Sequence, residues 1–213
     1  MKKYFNNYLN NDFIFDKLTK IGIFSLLIVM SGIFGFIYEF IFYYFNSGMK
    51  YFYYRGGNFL PWINIYTIGA LFIYLITYKK RKNPFKVFLY STIICGILEY
   101  IAGFLVYEIG DGFRCWDYNS EILNFGNING FICLRSVLFF GLSSLMLIYI
   151  MIPFIYYIAL KMNKKLFVTL AIILVSIILF DEIYNLLIAR ILNMKRASDI
   201  YKEIGFKYME FNK

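Results

Sequence analysis

Residues 21–45 read IGIFSLLIVMSGIFGFIYEFIFYYF, and Glu39 is their one charged side chain. A helix needs roughly 20 predominantly apolar residues to cross the hydrocarbon of a bilayer, and this stretch exceeds that length. Four more runs, Ile63–Tyr78, Phe85–Tyr107, Leu134–Leu160 and Leu166–Leu192, repeat the pattern with few charges or none. The chain is therefore expected to be an all-α integral membrane protein, a polytopic bundle of about five transmembrane helices. The count rises to six segments if a re-entrant or surface helix is included. The second run is the shortest, and Pro61-Trp62 before it points to an irregular or re-entrant entry into the bilayer.

Composition leads to the same solvent. Hydrophobic residues make up 61% of the chain and charged residues 16%, against about 45–50% and 25% in soluble domains. A soluble fold of this size would lack the polar surface to cover itself. Many tyrosines sit at run ends (Tyr43, Tyr44, Tyr78, Tyr107, Tyr156, Tyr157), as expected for rings at headgroup depth. No linker-like stretch or internal repeat divides the sequence. Residues 1–20 are read as a cytoplasmic N-terminal segment, 21–192 as the transmembrane bundle and 193–213 as a C-terminal tail on the membrane surface. The first run is too long for a signal-peptide core and lacks a small-residue cleavage pattern, so it is expected to stay as a helix.

The net charge of +9 does not call for nucleic acid, because the cations stand where membrane topology needs them. Lys79, Lys80, Arg81, Lys82 and Lys86 crowd one short connection, and Lys161, Lys164 and Lys165 another. The positive-inside rule puts both on the cytoplasmic side of the cell membrane, and the N-terminus with them. The connection with Lys50 and Arg55 and the long 108–133 connection then face outward. The basic tail, with Lys195, Arg196, Lys202, Lys207 and Lys213, disagrees, since five spans place it outside.

Chemistry is sought in what interrupts the apolar runs. A charge near the bilayer centre costs ~2.5–3.5 kcal/mol on the insertion scale, so Glu39, Glu99 and Asp181 are expected to be paired or functional. At 1.5 Å rise per residue, they lie roughly 27, 20 and 22 Å from the cytoplasmic ends of their runs. All three are thus expected in the outer half of the membrane, below the connection that holds Arg114, Trp116, Asp117 and Tyr118 and close to Arg135. Ser31, Gly35 and Glu39 recur at helical spacing, and Thr92, Cys95, Gly96, Glu99 and Gly103 share one stripe, so the acids face protein at small-residue seams. Two readings follow. Each acid is neutralised individually, by Arg135, Arg190 or a tyrosine hydroxyl, as structural glue; or the acids line a shared polar vestibule that opens outward.

The 108–133 connection divides in the same way. Trp116 and Tyr118 suit the membrane interface, Asp117 can cap a helix or pair with Arg114 or Arg135, and Asn127, Asn129 and Gly130 are turn and cap formers ahead of the fourth span. The connection is either a plug that holds helix ends together or, with Glu39 and Glu99 below it, the roof of a substrate pocket.

Several strings in this sequence resemble a known family. They are Gly35-Phe36-Ile37-Tyr38-Glu39, Asn64-Ile65-Tyr66-Thr67-Ile68-Gly69 after Pro61, Leu98-Glu99-Tyr100, Trp116-Asp117-Tyr118, and Asn127-Ile128-Asn129-Gly130-Phe131-Ile132-Cys133-Leu134. Over about residues 30–150 the chain is similar to the CmpB-like, or "type IV", ABC-transporter permease family of small bacterial membrane proteins. The family pattern has Pro-Ile-Tyr-Gly at Asn64-Ile65-Tyr66-Thr67, Arg at Phe131 and Trp-Gly at Phe140-Gly141. Arg135, one helical turn on, is placed to stand in for the missing cation. The resemblance implies a transporter permease or membrane subunit that works with a separate ATP-binding cassette subunit, since this chain has no Gly-x-x-x-x-Gly-Lys-Ser/Thr phosphate loop. From it and the intramembrane acids, the substrate or ion-binding candidates are Glu39, Glu99, Asp181, Tyr66, Tyr100, Trp116, Asp117, Tyr118, Asn127, Asn129 and Arg135.

Other classes have thinner support. No cofactor or metal is expected, because the chain has no His and its Cys and acidic residues are not at ligand spacing. Cys115 and Cys133 are close enough to one face to bridge. The patterns of intramembrane proteases are missing, and no catalytic residue is assigned, although lipid-modifying acid–base chemistry by Glu39 and Glu99 is a conceivable alternative. A non-catalytic scaffold, sensor or assembly role is the other alternative, and a homo-oligomer is compatible with all of these.

Overall fold

Residues 2–208 are described by the structure, a computed structural model. The all-α membrane reading holds. Among the described residues, four helices are long and apolar enough to cross a membrane, α2 (Lys17–Asn46), α4 (Pro84–Ile109), α5 (Leu134–Lys161) and α6 (Lys164–Ile191), and they coincide with four of the five apolar runs. The second run becomes α3 (Asn64–Thr77), only 14 residues, or about 21 Å against a hydrocarbon thickness of about 30 Å. Two short helices flank the set, α1 (Lys2–Asn10) and α7 (Ala197–Glu203). Strands β1 (Tyr53–Tyr54) and β2 (Lys207–Tyr208) pair in parallel, with Tyr53 opposite Lys207. The last five residues of the basic tail, Lys213 among them, lie outside the described residues.

Side-chain caps start the long helices. Asp16 accepts from the amides of Leu18 and Thr19 at the head of α2. A hydrogen bond from Lys164, 2.8 Å away, and one from Thr19 hold the Asp16 carboxyl well below the usual carboxylate range. Asn83 caps α4 with Pro84 in the first turn, where a missing N–H costs nothing. Asn163 caps α6 through the amides of Lys165 and Leu166, so Met162-Asn163 is the whole link from α5 to α6.

Two wide π-turns interrupt the spans. One, Leu147–Met151 in α5, precedes Pro153, whose ring denies the regular helix one amide and crowds the carbonyl four residues earlier. The other, Tyr184–Ile188 in α6, contains Asn185, whose side chain donates to the Asp181 carbonyl at 2.9 Å.

The described chain divides into two compact units, residues 2–71 with 150–208, and residues 72–149. In the first, α2 packs along α6 and against residues 152–161 of α5. Glycines on α2 make the seam: Gly22 faces the Phe167 ring, and a Cβ on Gly32 or Gly35 would collide with Trp62 or Tyr66. Trp62, Val29, Val175 and Ile178 form a buried cluster. The first residues of the chain fold back here too, with Tyr8 fully buried and the Tyr4 hydroxyl donating to the Pro153 carbonyl at 2.7 Å.

In the second unit α4 packs against residues 134–146 of α5. The helix is sorted into stripes at four-residue spacing. Val87, Ser91, Cys95, Glu99 and Gly103 are buried, while the apolar residues Phe85, Leu89, Ile93, Ile97 and Ile101 are exposed. Small and polar side chains inside with bulky aliphatic ones outside is the arrangement lipid favours.

Candidate functional site

Glu99 is carried on the buried stripe of α4 and is 6% exposed. Gly96 and Gly103 lie on the same side of the helix, against Val137 and against Phe131 and Trp116 respectively, so the 110–133 connection and α5 approach its backbone closely. Two hydroxyls reach the Glu99 carboxylate, Tyr118 donating to Oε1 at 2.5 Å and Ser136 to Oε2 at 2.9 Å. Both are neutral, and both can also accept.

The connection is folded to present Tyr118. Asp117 accepts from the Asn119 amide at 3.0 Å and so caps a short 3-10 turn, Tyr118–Ser120. The Tyr118 amide donates to the Gly130 carbonyl at 3.0 Å. Gly130 has φ +76°, and a Cβ there would run into Asp117, Arg114 and Asn119, so only glycine closes this turn. Asn129, at φ +55°, is a residue that tolerates the left-handed region, and its side chain donates to the Tyr100 hydroxyl at 3.2 Å. Asn127 accepts from the Gly130 amide and donates to Asn119. Trp116 donates its indole N–H to the Phe131 carbonyl at 2.9 Å.

Two arginines, Arg114 and Arg135, stand at this connection. Arg135 pairs with Glu121 at 2.5 Å and lies 5.2 Å from the Tyr118 ring. Arg114 is held by faces of rings, 4.8 Å from the Tyr107 centroid and 4.7 Å from that of Phe131. Its Nη1 also donates to the Asn129 carbonyl at 2.9 Å and lies 3.5 Å from Asp117. The Phe131 ring is itself edge-packed by Tyr100 and Phe104.

The other two acids belong to the first unit, each with its own partners. Glu39 accepts from Arg55 at 2.6 Å, and the guanidinium covers the Tyr43 ring at 4.3 Å. Asp181 accepts from the amides of Phe59 and Leu60 at 3.1 and 2.7 Å, and from Asn185 at 2.8 Å. Glu182 beside it accepts from Asn58 and Asn64. The irregular stretch between β1 and α3 is thereby clamped to α6, about 25 Å along that helix from Lys164. Backbone without regular secondary structure is tolerated at such depth only where its polar groups are satisfied. The tail closes over the same stretch. Tyr201 of α7 stacks on Tyr54 at 4.4 Å and donates to the Phe59 carbonyl at 2.8 Å, and Asn185 accepts from the Ala197 amide at 2.7 Å.

Of the residues singled out in the sequence, Glu99, Tyr100, Trp116, Asp117, Tyr118, Asn127, Asn129 and Arg135 fall in one unit, and Glu39, Tyr66 and Asp181 in the other. Tyr66 lies against Gly35 and edge-on to Tyr38. Sequence reasoning did not pick out Ser136, Glu121, Asn58, Asn64 or Glu182 as partners of the acids and cations, nor Arg55 as the mate of Glu39. Ser136 carries one signal, its place three residues after Cys133 at the start of α5, where it accepts from the Cys133 amide at 3.2 Å. Cys133 is a buried free thiol. No group of three metal-ligating side chains is found among the described residues.

A family model described as "Putative ABC-transporter type IV" matches residues 26–186, which hold all of the site residues just described except Ala197 and Tyr201 of the tail. No curated protein and no solved structure matches the chain.

Proposed function

The chain belongs to the putative ABC-transporter type IV family, and on that premise we propose that it is the permease of a transporter, with Glu99 as the group that meets the transported cation or proton. The observation that carries this is the Glu99 carboxyl on the buried face of a span, with two neutral hydroxyls as its hydrogen-bond partners. Structural acids in membranes gain a cation or backbone donors; Glu39 has Arg55, and Asp181 has two amides. Tyrosine and serine hydroxyls can instead reverse their hydrogen bonds, so the carboxyl can take up or release a proton or small cation without stranding a partner.

On this reading the 110–133 connection is the roof of an outward-facing polar vestibule, with Trp116, Tyr118 and Asn129 beside Glu99. Lys79 to Lys86 and Lys161 to Lys165 mark the cytoplasmic side of the cell membrane, together with the N-terminus. ATP is hydrolysed by a separate ATP-binding cassette subunit. Residues 1–20, 21–192 and 193–213 then serve as cytoplasmic segment, bundle and surface tail. Glu39, Asp181 and Glu182 hold the α3 entry in place.

Glu99→Gln in the purified chain, reconstituted with its ATPase in proteoliposomes, is expected to abolish cation-coupled flux while abundance and membrane insertion stay at wild-type levels. A folded variant with full flux overturns the proposal. The satisfied clamps at Glu39 and Asp181 favour a second reading, a membrane scaffold. Under it Glu99→Gln lowers abundance and no flux is measured with the wild-type chain.

A further inference from the structure

We propose that the rings of Tyr107 and Phe131 form a binding site for an organic cation of the guanidinium or quaternary ammonium class, occupied at rest by the chain's own Arg114. The inference rests on the transporter reading above and names a substrate class for it.

Arginine in a built ion pair uses its planar fork against a carboxylate. Arg135 has such a partner, 2.5 Å away on Glu121. Arg114 does not. Its nearest carboxylate oxygen, on Asp117, is 3.5 Å off and already accepts from Asn119 through both backbone and side chain. Of the five N–H donors of the guanidinium, those on Nη1 make the hydrogen bond to Asn129. Both ring centroids lie within 5 Å of Cζ, so aromatic faces join Asn129 and Asp117 around the guanidinium. That is how a soft, weakly hydrated cation is recognised.

Phe131 is fixed more firmly than the cation it holds. Phe131 is 4% exposed, lies against Gly103 and is edge-packed by Tyr100, Phe104 and Tyr107. Arg114 follows Gly110-Asp111-Gly112, where Asp111 and Gly112 have φ +48° and +85°, on a segment outside any helix. It can leave without unfolding a span. Asp117 supplies the negative charge at the rim. The site is wired to Glu99 through one side chain, because Tyr100, next to Glu99 on α4, packs on Phe131 and accepts from Asn129, the residue whose carbonyl Arg114 holds. Departure of Arg114 and arrival of a ligand cation are thus one exchange at one cage, a step from the carboxyl that meets the transported ion.

The test is equilibrium binding of tetramethylammonium and methylguanidinium to the full chain in detergent, by calorimetry, with sodium chloride at equal ionic strength as the blank. Arg114→Ala is expected to bind both cations at least tenfold more tightly than the wild-type chain, and Arg114→Ala/Phe131→Leu to lose that gain. Arg114→Gln, which keeps a donor for the Asn129 carbonyl, is a second vacated form and should behave like Arg114→Ala if the latter folds poorly. Folded Arg114 variants that bind no tighter than wild type, or binding that survives Phe131→Leu, overturn the proposal. Binding does not require Glu99, so a cage that binds cations while Glu99→Gln leaves flux untouched would overturn the role given to Glu99 and spare this proposal.

Discussion

Single residues in this protein fall into two kinds that the bilayer treats differently. Glu39 and Arg55 are each 13% exposed in their side chains and 2.6 Å apart. Removing one charge from a buried pair strands the other, at a cost of about 3–5 kcal/mol when burial is complete, whereas replacing both is far milder. Glu39→Gln is therefore expected to destabilise the detergent-solubilised chain by about 2–4 kcal/mol, and Glu39→Gln/Arg55→Gln to recover much of that loss. Thermal unfolding of the two singles and the double measures the coupling. A double variant less stable than either single would show that the pair is not a unit. Sequence made the acids visible because charge is rare in apolar runs. It did not reveal their mates. Asp181 is satisfied by the amides of Phe59 and Leu60, and a backbone amide leaves no residue-type signature.

Among the elements, α2 shows how glycine placement decides packing. A side chain at Gly32 would meet the Trp62 indole and one at Gly35 the Tyr66 ring, whereas nothing lies within 4 Å of a Cβ built on Gly69 of α3. Gly32→Val is expected to cost at least about 1–3 kcal/mol by overpacking and to lower membrane abundance. Gly69→Ala should be neutral or add up to about 1 kcal/mol through helix propensity. Equal abundance and melting temperature for the two variants would contradict the seam. The small-residue stripes of α2 and α4 were legible before the structure, since Gly35, Cys95, Gly96 and Gly103 recur at helical spacing and all are buried. The length of α3 was less so. Its apolar run starts at Ile63 and the helix at Asn64, but no periodicity announces that the preceding stretch is held by α6 instead of continuing a span.

For the molecule as a whole, the basic tail has a definite neighbour. Lys207 and Tyr208 pair with Tyr53 and Tyr54, and Tyr201 donates to Phe59, so the tail lies with the 51–60 stretch. It therefore belongs to the end of the first unit opposite the α5–α6 turn at Asn163. In a Cys115→Ser background, cysteines introduced at Lys50 and Lys202 are expected to react with a membrane-impermeant maleimide from the same side, and one at Lys161 only from the other. Labelling of Lys50 and Lys202 from opposite sides would refute that placement. Composition and apolar runs were enough for the membrane class and four of the spans. Partners distant in sequence, such as Asn58 with Glu182 or Tyr4 with Pro153, follow from the fold alone.

The Asp181 clamp also sets an order of events at the ribosome. Phe59 and Leu60 leave the exit tunnel more than 120 residues before the carboxylate that receives their amides. At the synthesis rate of about 5–20 residues per second, that gap lasts several seconds or more. Throughout it Arg55 and Trp62 can already meet their partners on α2, but the amides of Phe59 and Leu60 lack the carboxylate that receives them, so they must wait on water or in the shelter of the insertion machinery. The third helix is early in the chain and late to settle.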